Sequence, residues 1–127
     1  MKLRILDSSI RLRLTQSEVD TVNSDGLVTC SVRFAGGKRF EYVLQSCPIA
    51  QTPQADMSAN QLVVRVPRST ILSWASSDQV SIMSTQVVDD ECDLKILVEK
   101  DFQCLSPRED EDESDMYPHP DTDEDSC

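Results

Sequence analysis

The chain has 127 residues, room for one domain, and its 23 acidic against 12 basic residues give a net charge of −11. The charge is uneven: residues 105–127 hold ten Asp/Glu and one Arg, a net −9, leaving −2 over residues 1–104. That partition argues against nucleic-acid binding by the whole surface and for an acidic segment that seeks basic partners. The cysteines are odd in number, five, with no Cys-x-x-Cys pair, and the opening MKLRILDSSIRLRL lacks the continuous apolar stretch of a signal peptide. Both features point to reduced thiols in the cytoplasm. No apolar run approaches the roughly 18 residues that a membrane span needs, so a soluble protein is expected.

SIRLRL (9–14) alternates apolar and basic residues, which sets Ile10, Leu12 and Leu14 on one face of a half-buried strand and Arg11 and Arg13 on the other. Thr15, followed three residues later by Glu18, is a capping box that predicts a short helix with Gly26 as its stop. LVTCSVRF (27–34) alternates again, with Val28, Cys30, Val32 and Phe34 sharing a face. The pair Gly36-Gly37 joins it to RFEYVLQS (39–46) as a hairpin. The stretch from Gln45 to Asn60, with Pro48 and Pro53, reads as a connecting loop. The pattern then restarts. LVVRVP (62–67) is a strand, RSTILSWASS (68–77) a helix with Pro67 suited to its first turn, QVSIMSTQVV (79–88) a strand and CDLKILVEK (92–100) its hairpin partner. Trp74 and Phe102 read as core residues.

Placed side by side, residues 12–17 fall on 64–69, and Val19 and Val22 on Ile71 and Trp74. After a one-residue insertion, Ser24-Asp25 falls on Ser77-Asp78. A unit too small to bury its own apolar face becomes stable by packing on a copy. The expected fold is α+β and β-rich. Duplicated β-α-β-β units (about 9–46 and 61–100, with a linker of about 47–60) form a small pseudo-two-fold barrel or sheet within a core of residues 1–104. An acidic disordered tail follows over 105–127.

The stretch VVRVPRSTILSWASSDQVSIMS (63–84) resembles the swapped-hairpin fold of the AbrB family and related cradle-loop barrels. In that family the turn after the helix is Gly-Asp where this chain has Ser77-Asp78, and its DNA-binding dimers are basic, so DNA binding is not carried over. SIRLRLTQSEV (9–19) and KILVEKDFQCLSPREDEDESDMYPHP (95–120) resemble a small family of bacterial proteins known only as a domain of unknown function. This second resemblance covers most of the chain, and it implies no activity, substrate or cofactor. It also implies that the acidic stretch belongs to the protein's normal ending.

Candidate chemistry is sparse. The single histidine, His119, lies between Pro118 and Pro120, away from the serines and cysteines of the core, so no nucleophile-histidine site is expected. Asp121, Asp123 and Asp125 are spaced like the start of a calcium loop, but no Glu completes it. Cys92, Cys104, His119 and Cys127 match no zinc spacing. Gly36-Gly37-Lys38 lies between two strands, where a phosphate loop needs a strand and then a helix. Glu41, Glu99 and Asp101 sit at solvated strand positions with no spacing that makes them an acid–base pair. No metal or cofactor is expected, and the residues point away from an enzyme.

Arg4, Arg11, Arg13 and Arg33 project from strand faces opposite the apolar ones, and Arg65 and Arg68 flank the start of the second helix. Arg11, Arg13, Arg65 and Arg68 are the candidate anion-binding residues. In the tail, Glu109, Asp110, Glu111, Asp112, Glu113 and Asp115 supply steering charge, and Met116 with Tyr117 supplies an apolar anchor. The leading expectation is a non-catalytic cytoplasmic binding or regulatory module whose acidic tail engages a basic protein partner. A second reading is a small ligand-binding barrel or enzyme that uses the arginine face for an anionic molecule. A third is a nucleic-acid-binding regulator autoinhibited by its tail. Oligomeric state is not legible in the residues.

Overall fold

The structure, a computed structural model, describes residues 1–102. The tail candidates Glu109–Tyr117, His119, Asp121–Asp125, Cys104 and Cys127 lie outside the described residues. Ten elements follow in order: β1 (Lys2–Leu6), β2 (Ser9–Leu14), α1 (Gln16–Asp25), β3 (Leu27–Phe34), β4 (Lys38–Cys47), β5 (Gln54–Ser58), β6 (Gln61–Pro67), α2 (Arg68–Ala75), β7 (Ser81–Asp89) and β8 (Cys92–Lys100).

Local chemistry accounts for the boundaries. The Glu18 N–H donates to Thr15 Oγ1 and the Thr15 N–H donates to Glu18 Oε1 at 2.9 Å, so the capping box closes α1 reciprocally. Gly26, at φ 84°, ends the helix in the left-handed region and donates its N–H to the Val22 carbonyl. Gly36 and Gly37, at φ 79° and 73°, make the tight reversal between β3 and β4.

The strands form two four-stranded sheets of order β1-β2-β8-β7 and β3-β4-β6-β5. Each sheet joins a hairpin from the first half of the chain to one from the second through a parallel central pair, β2 with β8 and β4 with β6. The register is the same in both. Leu3, Leu12, Val98 and Ile82 lie across one sheet, and Ala55, Val64, Leu44 and Val28 across the other. The non-glycine residues at positive φ, Asp7 and Ala59, both at 50°, occupy corresponding turns of β1-β2 and β5-β6. Matching backbone bonds also run from Lys95 N–H to the Ser8 carbonyl and from Glu41 N–H to the Asn60 carbonyl, both at 2.9 Å.

The inner faces of both sheets and the buried faces of both helices enter one apolar cluster. Leu12, Leu14, Leu44, Val64, Val66 and Val98 come from the strands, and Val22, Ile71 and Trp74 from the helices. Trp74 is fully buried; its indole N–H donates to the Val80 carbonyl at 2.9 Å, and Lys100 Nζ stands 5.9 Å from the ring centroid while donating to the Ser77 carbonyl.

Several expectations require correction. The sheets do not close into a barrel: the contact between edge strands β5 and β7 runs through Gln86, whose side-chain amide accepts from the Ala55 N–H at 2.7 Å and donates to the Ala55 carbonyl. That side chain occupies the backbone groups a closing ladder would use. Each half is β-β-α-β-β rather than β-α-β-β, because β1 precedes the first expected strand and β5 lies within the expected 47–60 linker. Val32 and Phe34 do not share the burial of Val28, since the β3-β4 hairpin extends past the apolar cluster. Phe102 is 65% exposed and is not part of the core.

Trp74→Ala should therefore lose about 3–5 kcal/mol of stability through the cavity it leaves. Urea unfolding followed by far-ultraviolet circular dichroism measures this.

Candidate functional site

Alternation along the strands of the β1-β2-β8-β7 sheet turns the partners of its core residues outward in three rows. They read Lys2, Arg13, Glu99, Ser81; then Arg4, Arg11, Leu97, Met83; then Leu6, Ser9, Lys95, Thr85. A groove of about 530 Å³ opens over the second and third rows, lined by Arg4, Leu6, Arg11, Met83, Lys95 and Leu97. Two adjacent guanidiniums share one carboxylate: Arg13 Nε donates to Glu99 Oε1 at 3.0 Å, and Arg11 Nε lies 3.4 Å from the same oxygen. Lys2 pairs with Asp101 at 3.2 Å. Arg4 and Lys95 have no acidic partner among the described residues. Met83, 76% exposed, and Leu6 give the cationic groove an apolar wall.

The other sheet provides an internal comparison, because its register sets a counterpart against each of these positions. Its outward rows are Gln54, Arg65, Gln45, Leu27; Asp56, Val63, Val43, Thr29; and Ser58, Gln61, Glu41, Ser31. Where the first sheet carries Arg4, Arg11 and Lys95, the second carries Asp56, Val63 and Glu41. The pairing scheme accommodates acidic and apolar residues at these sites, so the cationic character is a property of one face and not a demand of the fold.

Of the four candidate arginines, Arg11 and Arg13 stand together on the first sheet. Arg65 lies on the second, bound to Asp56, and Arg68 is the exposed first residue of α2. The four do not form one site. Glu41 and Glu99 are likewise on different sheets, Glu41 being bound by Arg39 at 3.2 Å and by Gln61 at 3.0 Å. Lys95, absent from the four candidates, reaches the groove because β8 lies parallel beside β2. Its outward position alternates with Ile96 and Val98 and was the available signal.

A second constellation gathers at the start of the chain. The Met1 amino group pairs with Glu18, the Tyr42 hydroxyl donates to the Met1 carbonyl at 2.8 Å, and Cys30 lies close by. Burial lowers the amine's pKa, but the hydrogen bonds and charges of Glu18 and Cys30 more than offset it, and the amine ends above its ordinary value. Burial raises the Glu18 carboxyl, and the Met1 amine together with Thr15 outweighs that effect, leaving it below its ordinary value. Burial, then Cys30 and Glu18, pushes the Tyr42 phenol up. Cys30, Cys47 and Cys92 are free thiols, and no group of three metal-ligating side chains converges among the described residues. No helix there is long and apolar enough to cross a membrane.

The fold and the groove together define a small β-rich domain of two four-stranded sheets with one cationic face. The chain belongs to a family of unknown function, DUF7009, whose model matches residues 1–121. No curated protein and no solved structure matches it.

The Met1–Glu18 pair makes stability depend on pH. The lowered carboxyl contributes fully above its unfolded pKa of about 4.5, and that contribution is lost as pH falls through the folded value; the raised amine contributes fully below about 8.0, and that is lost as pH rises through its folded value. Glu18→Gln keeps a residue suited to the capping box and removes the charge. The variant should be less stable than the native chain between about pH 4.5 and 8.0, and the gap should close outside that window in thermal melts across pH.

Proposed function

We propose that the protein is a non-catalytic binding module, duplicated in architecture, that presents an acidic segment to a basic protein partner. The observation that carries this reading is the separation of charge, with ten carboxylates over residues 105–127 against a nearly neutral remainder. Six of them, Glu109–Glu113 and Asp115, directly precede Met116 and Tyr117, which joins long-range steering to an aromatic anchor. The shared register of the two sheets, the corresponding turns at Asp7 and Ala59 and the exchange of hairpins support the duplication and its likeness to swapped-hairpin proteins. A cytoplasmic setting fits the odd number of cysteines and the three free thiols among the described residues.

A second reading rests on the groove itself. Arg4, Arg11 and Lys95 beside Leu6 and Met83 suit an anionic molecule with an apolar part, and in this reading the groove is the working surface.

Replacing the six carboxylates of 109–115 by their amides in the full chain should abolish capture of the partner in a lysate pull-down at physiological salt, with an unchanged circular dichroism spectrum. Equal capture by the amide variant would contradict the first reading and leave the groove as the place to look.

A further inference from the structure

We infer that the groove on the outer face of the β1-β2-β8-β7 sheet is the docking site of the chain's own acidic segment, residues 109–117, so that the partner must displace an internal ligand. This rests on the reading of that segment as a ligand, and three observations support it. The first is complementarity of charge and polarity. The outward rows hold Lys2, Arg4, Arg11, Arg13 and Lys95 against Glu99, and Arg4 and Lys95 have no acidic partner among the described residues. Six carboxylates beside Met116 and Tyr117 match a surface whose cations share their rows with the exposed Met83 and Leu6.

The second observation is reach. The acidic segment follows β8, which is a central strand of the same sheet and carries Lys95 and Leu97 into the groove. From Phe102, the last described residue, back to Lys95 is at most about 23 Å along the strand direction. Residues 103–112 extend to about 33 Å, so a chain that folds back over the outer face reaches the groove with the carboxylates that end the acidic run, Asp112, Glu113 and Asp115. The third is specificity of placement. The opposite sheet, with the same register, carries Asp56, Val63 and Glu41 where this one carries Arg4, Arg11 and Lys95, so at the groove positions the cations are confined to one face.

A single exposed ion pair contributes only about 0–1 kcal/mol, so docking requires several cations at once. Tethering supplies the segment at an effective concentration of about millimolar, which makes such a weak multipoint contact populated yet displaceable. The contact is electrostatic at solvent-exposed positions and is therefore salt-labile. A basic partner competes for the carboxylates directly, and its apparent affinity is reduced by the fraction of chains that are docked.

The test is zero-length carbodiimide coupling on the full chain at low protein concentration, which joins a lysine amine to a carboxylate in contact, followed by mass-spectrometric mapping. The expected result is an isopeptide bond between Lys95 and a carboxylate of 109–115 within monomeric chains, several-fold more abundant than any such bond from Lys38, which starts β4 on the other sheet. It should disappear in about 0.5 M salt, where the screening length is about 4 Å. It should also fall several-fold in the double variant Arg4→Asp, Arg11→Val, whose new residues are those the opposite sheet carries at the same register. Coupling of the segment equally to Lys38 and Lys95, coupling found only between two chains, or no coupling at Lys95 would each overturn the inference. Partner capture through the segment in the native chain, measured in parallel, separates the two proposals. Capture without the Lys95 bond leaves the acidic segment a ligand for the partner alone, whereas absence of both removes the reading on which the docking rests.

Discussion

Everything in this structure depends on one arrangement: each half of the chain contributes a hairpin to each sheet. Each sheet is completed through a parallel pair, β2 with β8 and β4 with β6, so every sheet contains one hairpin from each half. The side chains that these pairs bring inward, Leu12 with Val98 and Val64 with Leu44, are fully or almost fully buried in the same cluster that receives Trp74. Burial of that cluster is the main favourable contribution to folding and is available only once both halves are assembled. The outer surfaces inherit their geometry from the same pairing. Lys95 stands beside Ser9 and one row from Arg11 because β8 runs parallel to β2, and the groove exists because that pairing places a late strand beside an early one.

The difference between the two outer faces follows. A shared register gives two similar surfaces, and the residues distinguish them. On one face Arg65 pairs with Asp56 and Arg39 with Glu41, with Arg33 beside Arg39, while the other concentrates cations around Glu99 and leaves Arg4 and Lys95 without a described acidic neighbour. Such an imbalance adds nothing to the fold, since exposed like charges repel. The acidic stretch downstream of β8 is its natural electrostatic complement, which links the binding reading of the segment to the geometry of the sheet.

The elements with a strong local signature were legible in the sequence. Alternation in SIRLRL and LVVRVP placed β2 and β6, Thr15 with Glu18 placed the start of α1, Gly26 its end, and the paired glycines the β3-β4 turn. The residues that escaped notice lie at edges. In β1, Leu3 is half-buried while Ile5 and Leu6 are exposed, and in β5 only Ala55 is buried, so neither strand carries the alternation that burial on one face imposes. Their identity comes from backbone pairing with β2 and β6, which has no signature in residue type. For the same reason Phe34 and Phe102, aromatic but beyond the core, read as buried when they are not. Closure of the sheets into a barrel was a matter of contacts between edges, and it was decided by the Gln86 amide on Ala55.

The candidate site was legible only in part. Periodicity identifies which arginines face outward but not which strands adjoin, so it does not reveal that Arg65 and Arg68 lie apart from Arg11 and Arg13 or that Lys95 lies near Arg11. Whether the two halves share one core through exchanged hairpins is tested most directly by producing residues 1–51 and 52–127 separately and following the Trp74 fluorescence of 52–127. Neither fragment should show a cooperative unfolding transition as a monomer, and mixing them in equal amounts should restore the buried emission of Trp74 with one cooperative transition. A cooperatively folding monomer from either fragment alone would show that the halves do not depend on a shared core.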